Sequence, residues 1–195
     1  MGKLRLGLAL AFIAAGVGLI GYGLMTPAKA WLAARLLDHA WERLLAGDED
    51  VRPWPWMDSE PVARLHVQKA DAETAGEQPS FVVMRGVSGS VLAFAPGWHE
   101  RTMLPGAEGT TLISAHRETH FAILKDIGRN DRLMIEDRTG SKVVYRVSEM
   151  IVTEAPVLSL RQIEDDQRLI LVTCYPLDAW RPNSPERLVV VAEPI

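Results

Sequence analysis

Apolar and polar positions follow three different rhythms along this chain. From Leu6 to Met25 the stretch "LGLALAFIAAGVGLIGYGLM" carries no charge. A run of about 20 such residues is what a helix needs to cross a hydrocarbon core of about 30 Å. From Ala28 to Asp50, "AKAWLAARLLDHAWERLLAGDED" switches to a helical period. Trp31, Leu32, Leu36, Leu37, Ala40, Trp41, Leu44 and Leu45 recur on one face, with Arg35, Asp38, Glu42 and Arg43 on the other. Gly47 and the acids beside it mark where that helix stops. Beyond Val62 the pattern becomes short apolar, β-prone runs at residues 62–68, 80–86, 110–116, 131–137, 142–152, 167–174 and 187–193. Gly86 and Gly89, "APGWH", "LPGAEG", "RTG" and "RPNSP" supply turns between them, and "FAILKDI" (121–127) is the one clear helical interruption. Seven or eight strands in about 130 residues predict an all-β fold, a closed or nearly closed barrel with short helices. A transmembrane helix and a separate amphipathic helix precede it.

The link between helix and barrel is "RPWPWMDSEP" (52–61), extended because Pro53 and Pro55 fix their own φ and restrict the residues before them. Trp54 and Trp56 on opposite faces of that segment are expected to clasp the domain. Three regions result: a membrane anchor (1–27), an amphipathic helix with a Pro/Trp linker (28–61), and a barrel domain (62–195).

Composition and charge sharpen this organisation. At 48% hydrophobic and 24% charged, the sequence is that of a folded protein, and a net charge of −4 gives no reason to expect nucleic acid as a partner. Lys3 and Arg5 precede the apolar run with no acid nearby. The positive-inside tendency therefore places the N-terminus in the cytoplasm and the rest of a single-pass protein outside. A cleavable signal peptide is the rival reading, because "AKA" at Ala28–Ala30 resembles a cleavage site. The retained anchor is preferred because the run is longer than the usual h-region.

Cys174 is the only cysteine, which excludes an internal disulfide and any multi-cysteine metal site. It falls at the mouth of the run "LILVTC", just before Tyr175-Pro176. Pro176, Pro182 and Pro185 keep the next residues out of a sheet until "RLVVVAE" resumes at Arg187. If these two runs are antiparallel neighbours, thiol and guanidinium meet at one rim. A fixed cation favours the nucleophilic thiolate, and a guanidinium fork can also donate to an oxyanion. Among the five histidines, His116 shares this placement at the end of an apolar run, "TTLISA". His120, just before Phe121, is its main rival. His39, His66 and His99 lie on a helix, mid-strand and in a loop.

"ISAH" (113–116), "LVTC" (171–174) and Arg187 resemble the His, Thr-x-x-Cys-type and Arg elements of sortases, cysteine transpeptidases that attach secreted proteins to surface acceptors. The resemblance covers residues 62–195, in the chain order His, Cys, Arg. "TCYPLDAW", "AKAW", "PWPW" and "SAHRETHF" are most similar to the branch found in proteobacteria. What the resemblance implies is an eight-stranded barrel whose site lies at one edge. Cys174 would attack the Thr carbonyl of a Leu-Pro-x-Thr-like C-terminal sorting signal on an exported protein, giving a thioester. Arg187 would hold the oxyanion, and His116 would move the proton. Thr173, Ala115, His120 and Tyr175 would line the substrate groove. The acyl group would then pass to an amine acceptor in the envelope, with the enzyme held in the inner membrane and its catalytic domain in the periplasm.

Two other readings keep the same residues. Water could replace the amine, making a processing peptidase, or the barrel could bind extended peptides without catalysis. No cofactor is expected. No metal is expected either, since the acidic "GDED" (47–50) precedes the barrel.

Overall fold

A computed structural model describes residues 2–70, 78–154, 167–179 and 184–195. Pro182 and Trp180, both drawn on above, lie outside the described residues. Eight strands form the barrel: β1 (Pro61–Gln68), β2 (Ser80–Arg85), β3 (Gly97–Trp98), β4 (Thr111–Ser114), β5 (Arg132–Asp137), β6 (Lys142–Glu154), β7 (Leu169–Cys174) and β8 (Glu186–Pro194). They close in the order β1-β2-β3-β4-β7-β8-β6-β5. Two neighbouring pairs are parallel, β2 with β3 and β4 with β7, and the rest antiparallel.

The short apolar runs become strands whose successive residues alternate between the inside and the outside of the closed barrel, and both sides are apolar on β7 and β8. Leu65, Val83, Ile113, Leu133, Ile135, Tyr145, Leu169, Leu171, Val190 and Ala192 fill the interior. On the outer surface of β4, β7 and β8, Leu112, Ile170 and Val189 form a second apolar patch, with Val172 and Val191 packed against it.

One strand escaped the sequence pattern. "APGWH" was expected to be a turn, yet Gly97 and Trp98 pair with β2 on one side and β4 on the other. The cause is a close backbone approach. A Cβ at Gly97 would lie 2.2 Å from the Gly86 carbonyl oxygen, so only glycine lets the chains meet there. "FAILKDI" is a 3-10 helix, His120–Lys125, and β4 stops at Ser114 rather than running on to residue 116. A single-turn helix, α2 (Gly89–Leu92), is capped by the Ser88 hydroxyl.

The expected pair of N-terminal helices is one continuous helix, α1 (Gly2–Leu45), with Pro27 inside it. Gly47 ends it at φ 95°, its N–H reaching Leu44 O while Asp48 N–H reaches Arg43 O. That arrangement is the left-handed glycine stop of a Schellman motif. By contact, residues 1–36 and 37–195 form two compact units. Within the second, Leu37, Ala40, Trp41 and Leu44 are buried with Val51, Met57, Val82, Met84, Val91 and Ala95. The stripe is narrower than expected, because Trp31, Leu32 and Leu45 are exposed. Of the two linker tryptophans only Trp54 packs on the domain, edge-on to Phe94 at 5.2 Å. Trp56 is 79% exposed, which corrects the expectation of a two-sided clasp. Among the described residues no helix is long and apolar enough to cross a membrane, so the span expected at Leu6–Met25 gains no support there.

Candidate active site

β7 is a leucine- and valine-rich strand that ends when Pro176 removes a backbone donor. β8 begins only after Pro185, and its register with β7 runs through Val172↔Val189 and Thr173↔Leu188 to Cys174↔Arg187. Tyr175 N–H to Glu186 O, at 3.0 Å, closes the ladder just beyond. Directly paired residues share a face. Since Leu171 and Val190 point inward, Cys174 and Arg187 both stand on the outer surface, at the end of the Ile170–Val172 and Val189–Val191 stripe. The antiparallel meeting expected from the sequence is therefore what the fold builds.

His116 arrives on the other side of β7. β4 runs parallel to β7 with Ser114 beside Val172. Ala115 N–H continues the ladder to Val172 O at 3.3 Å. Two residues on from that pair are His116 and Cys174, so the same strand ends carry both. His116 is exposed, whereas Cys174 and Arg187 are half-buried. The Arg187 guanidinium is not loose: Nη1 donates to Ser184 O at 2.7 Å and to Glu186 O at 2.8 Å. Its Nε and Nη2 have no hydrogen-bond partner among the described residues, which leaves one edge of the fork for a ligand.

The remaining residues assigned to the groove divide into two kinds. Thr173 and Ala115 face inward, 3% and 5% exposed, and the Thr173 hydroxyl donates to Ala115 O at 2.7 Å. As placed, this pair ties β7 to the segment that carries His116. Tyr175 packs partly against the main core. His120 is half-buried, its ring edge-on to Phe81 at 5.8 Å, and its Nδ1 lies 3.3 Å from Thr119 Oγ1. Burial pushes its pKa below the ordinary 6.5; a hydrogen bond with the Phe94 backbone opposes this, and the charge of His116 adds to it. His99 is likewise lowered by burial and lies 2.8 Å from the Ser114 hydroxyl.

Sequence reasoning missed Arg117. A charged residue three past a strand end reads as solvent-facing, yet its side chain is 2% exposed. Nη1 donates to Pro176 O at 3.0 Å, and Nε to Glu118 Oε1 at 2.8 Å. Burial alone would raise the Glu118 carboxyl. Together the hydrogen bond from Arg117, the residue's own backbone N–H and the charges of Arg117 and His116 overcome that, and hold Glu118 below its ordinary value. Among the described residues no group of three or more His, Cys, Asp or Glu could hold a metal ion.

The sequence profile described as "Sortase domain" matches residues 75–195. This chain belongs to the sortase family. Members of that family are cysteine transpeptidases, and the chain has the cysteine. Sortase D of Bacillus subtilis (strain 168) is 24% identical over 126 residues, a match that spans 65% of this sortase and 60% of its relative's length. Two solved structures extend the likeness in fold. Sortase A from Corynebacterium diphtheriae has a TM-score of 0.57 at 18% identity, covering 84% of each chain. Sortase C from Clostridium perfringens, described with the C-terminal cell wall sorting motif, has a TM-score of 0.55 at 18% identity, covering 86% of this sortase and 90% of that chain.

Proposed function

We propose that this protein cleaves a Leu-Pro-x-Thr-like signal at the C-terminus of an exported protein and transfers the new carboxyl end to an amine in the envelope. The Cys174 sulfur adds to the Thr carbonyl carbon, and the oxyanion that forms is held by the free edge of Arg187. The C–N bond then breaks, His116 gives its proton to the departing amine, and a thioester remains on Cys174. An acceptor amine attacks that thioester, loses a proton to His116, and releases the thiolate. The register of Cys174 against Arg187, with the strand leading to His116 parallel on the opposite side, carries this reading.

The Leu and Pro of the signal would lie on the outer side of β7 and β8 near Cys174, where Val172 and Val191 are part-exposed, with His120 and Tyr175 as further groove residues. Thr173 and Ala115 would contribute through the strand they hold. A substrate of this kind is supported by the similar sortase C whose structure is described with a sorting motif. The likeness of "TCYPLDAW", "AKAW" and "PWPW" supports the proteobacterial branch, and so a periplasmic domain. The anchor is Leu6–Met25, uncharged and preceded by Lys3 and Arg5, with exposed apolar side chains at Phe12, Ile13, Val17, Leu19 and Ile20. Regions 1–27, 28–61 and 62–195 then act as anchor, spacer and catalytic domain.

Weighing the products of a Leu-Pro-x-Thr-Gly-type peptide, with and without an added amine, tests the proposal. An amide product that appears only with the amine supports transfer. Hydrolysis alone in both arms would make the protein a processing peptidase. Peptide binding without cleavage would make it a recognition barrel.

A further inference from the structure

We infer that Arg117 is a positioning residue that sets the separation of His116 and Cys174, an inference that rests on the catalytic reading above. The β4–β7 ladder ends at Ser114 and Val172, and the reacting side chains lie past it. Two clamps bracket them. Before the pair, the Thr173 hydroxyl holds Ala115 O at 2.7 Å. After it, Arg117 Nη1 holds Pro176 O at 3.0 Å. His116 is the single residue between Ala115 and Arg117, and Cys174 lies between Thr173 and Pro176. Neither loop can slide or part from the other without breaking a clamp.

Burial makes the outer clamp directional. A guanidinium withdrawn from water is tolerated only where its donors are met, so the Pro176 carbonyl and the Glu118 carboxylate fix where it sits. Its Nε bond to Glu118 fixes the chain on the other side of His116 from the Thr173 clamp. A lysine carries the same charge but no rigid fork, and can satisfy one of these acceptors rather than both. A misplacement of about 1 Å between reacting groups is enough to cost about 10²-fold in rate.

Arg117→Met, Arg117→Lys and Glu118→Gln, each in the full-length protein, test this through three readings: thermal unfolding, the rate at which iodoacetamide alkylates Cys174, and kcat with KM for cleavage of a Leu-Pro-x-Thr-Gly peptide. We expect alkylation and KM to stay within about threefold of wild type, because neither thiol nor groove is removed, while kcat falls about 10²-fold in Arg117→Met. Arg117→Lys should recover part of that loss. Glu118→Gln, at an exposed carboxylate that cannot upset the core, should lose less than either. Folded Arg117 variants with kcat within threefold of wild type would overturn the inference, as would a rise in KM alone. Failure of both Arg117 variants to fold would make the arginine a fold determinant and also refuse the positioning role. A wild-type protein that forms no acyl-enzyme would instead remove the catalytic reading itself, before any variant is compared.

Discussion

Arg187→Lys separates two jobs that one cation could do for Cys174. In the wild-type protein Nη1 is spent on Ser184 O and Glu186 O, at 2.7 and 2.8 Å, which fixes the guanidinium plane on the rim beside the thiol. The lysine ammonium keeps the charge and can hold one of those carbonyls, but it has no second edge to offer an oxyanion. If Arg187 acts only by favouring the thiolate through space, lysine serves nearly as well. If it donates to the developing oxyanion, the loss of one such donor typically removes about 10²–10³ in kcat, or about 2.7–4 kcal/mol. We expect the second result: peptide turnover down by that factor, with iodoacetamide alkylation of Cys174 within about threefold of wild type. Both rates are measured on the same folded variant. Parallel losses in alkylation and turnover would refute the oxyanion role and assign Arg187 to the thiol.

His116→Ala should lose nearly all turnover while His120→Ala retains most of it, because His116 shares the strand ends with Cys174 and His120 packs on Phe81; peptide kinetics with the opposite ranking would exchange their roles. Gly97→Ala should destabilise by about 1–3 kcal/mol in urea titrations, since its methyl group meets the Gly86 carbonyl and β2 or β3 must move; an unchanged midpoint would contradict that contact. His66, His99 and His120 are all held below the ordinary 6.5, chiefly by burial, so the unfolded chain takes up protons first as pH falls. Their stability contribution is therefore whole above about 6.5 and lost as pH drops from there through the folded values, and the urea midpoint should fall between pH 7 and pH 5; a flat or rising midpoint would refute it. If Leu6–Met25 serves only as the proposed anchor, deleting residues 1–26 should give a protein that stays in solution after centrifugation and still cleaves peptide; loss of cleavage by the folded product would contradict that division of labour.

Sequence pattern reaches the features that depend on period and on chain order. The short apolar runs in "LILVTC" and "RLVVVAE" specify two buried strands, the prolines between them force a return, and the register that joins Cys174 to Arg187 follows. Features that depend on close approach leave no such trace. β3 has two residues, too few to show a period, and exists because Gly97 lets two backbones meet. The inward turn of Thr173 follows from strand parity once Cys174 is placed outside. Arg117 is the extreme case, since a buried guanidinium is specified by a carbonyl 59 positions away, at Pro176. The N-terminal helices read as two because their hydrophobic periods differ, whereas backbone hydrogen bonding is continuous through both apart from the donor Pro27 lacks.

Whether Cys174 forms a covalent acyl-enzyme at this rim can be read by intact-mass spectrometry of the protein mixed with a Leu-Pro-x-Thr-Gly peptide, with no amine added. We expect a mass increase equal to the peptide up to its Thr, mapped by digestion to Cys174, removed by hydroxylamine, and absent from Cys174→Ala. An unmodified wild-type protein that nonetheless cleaves the peptide, or an adduct that persists in Cys174→Ala, would contradict it.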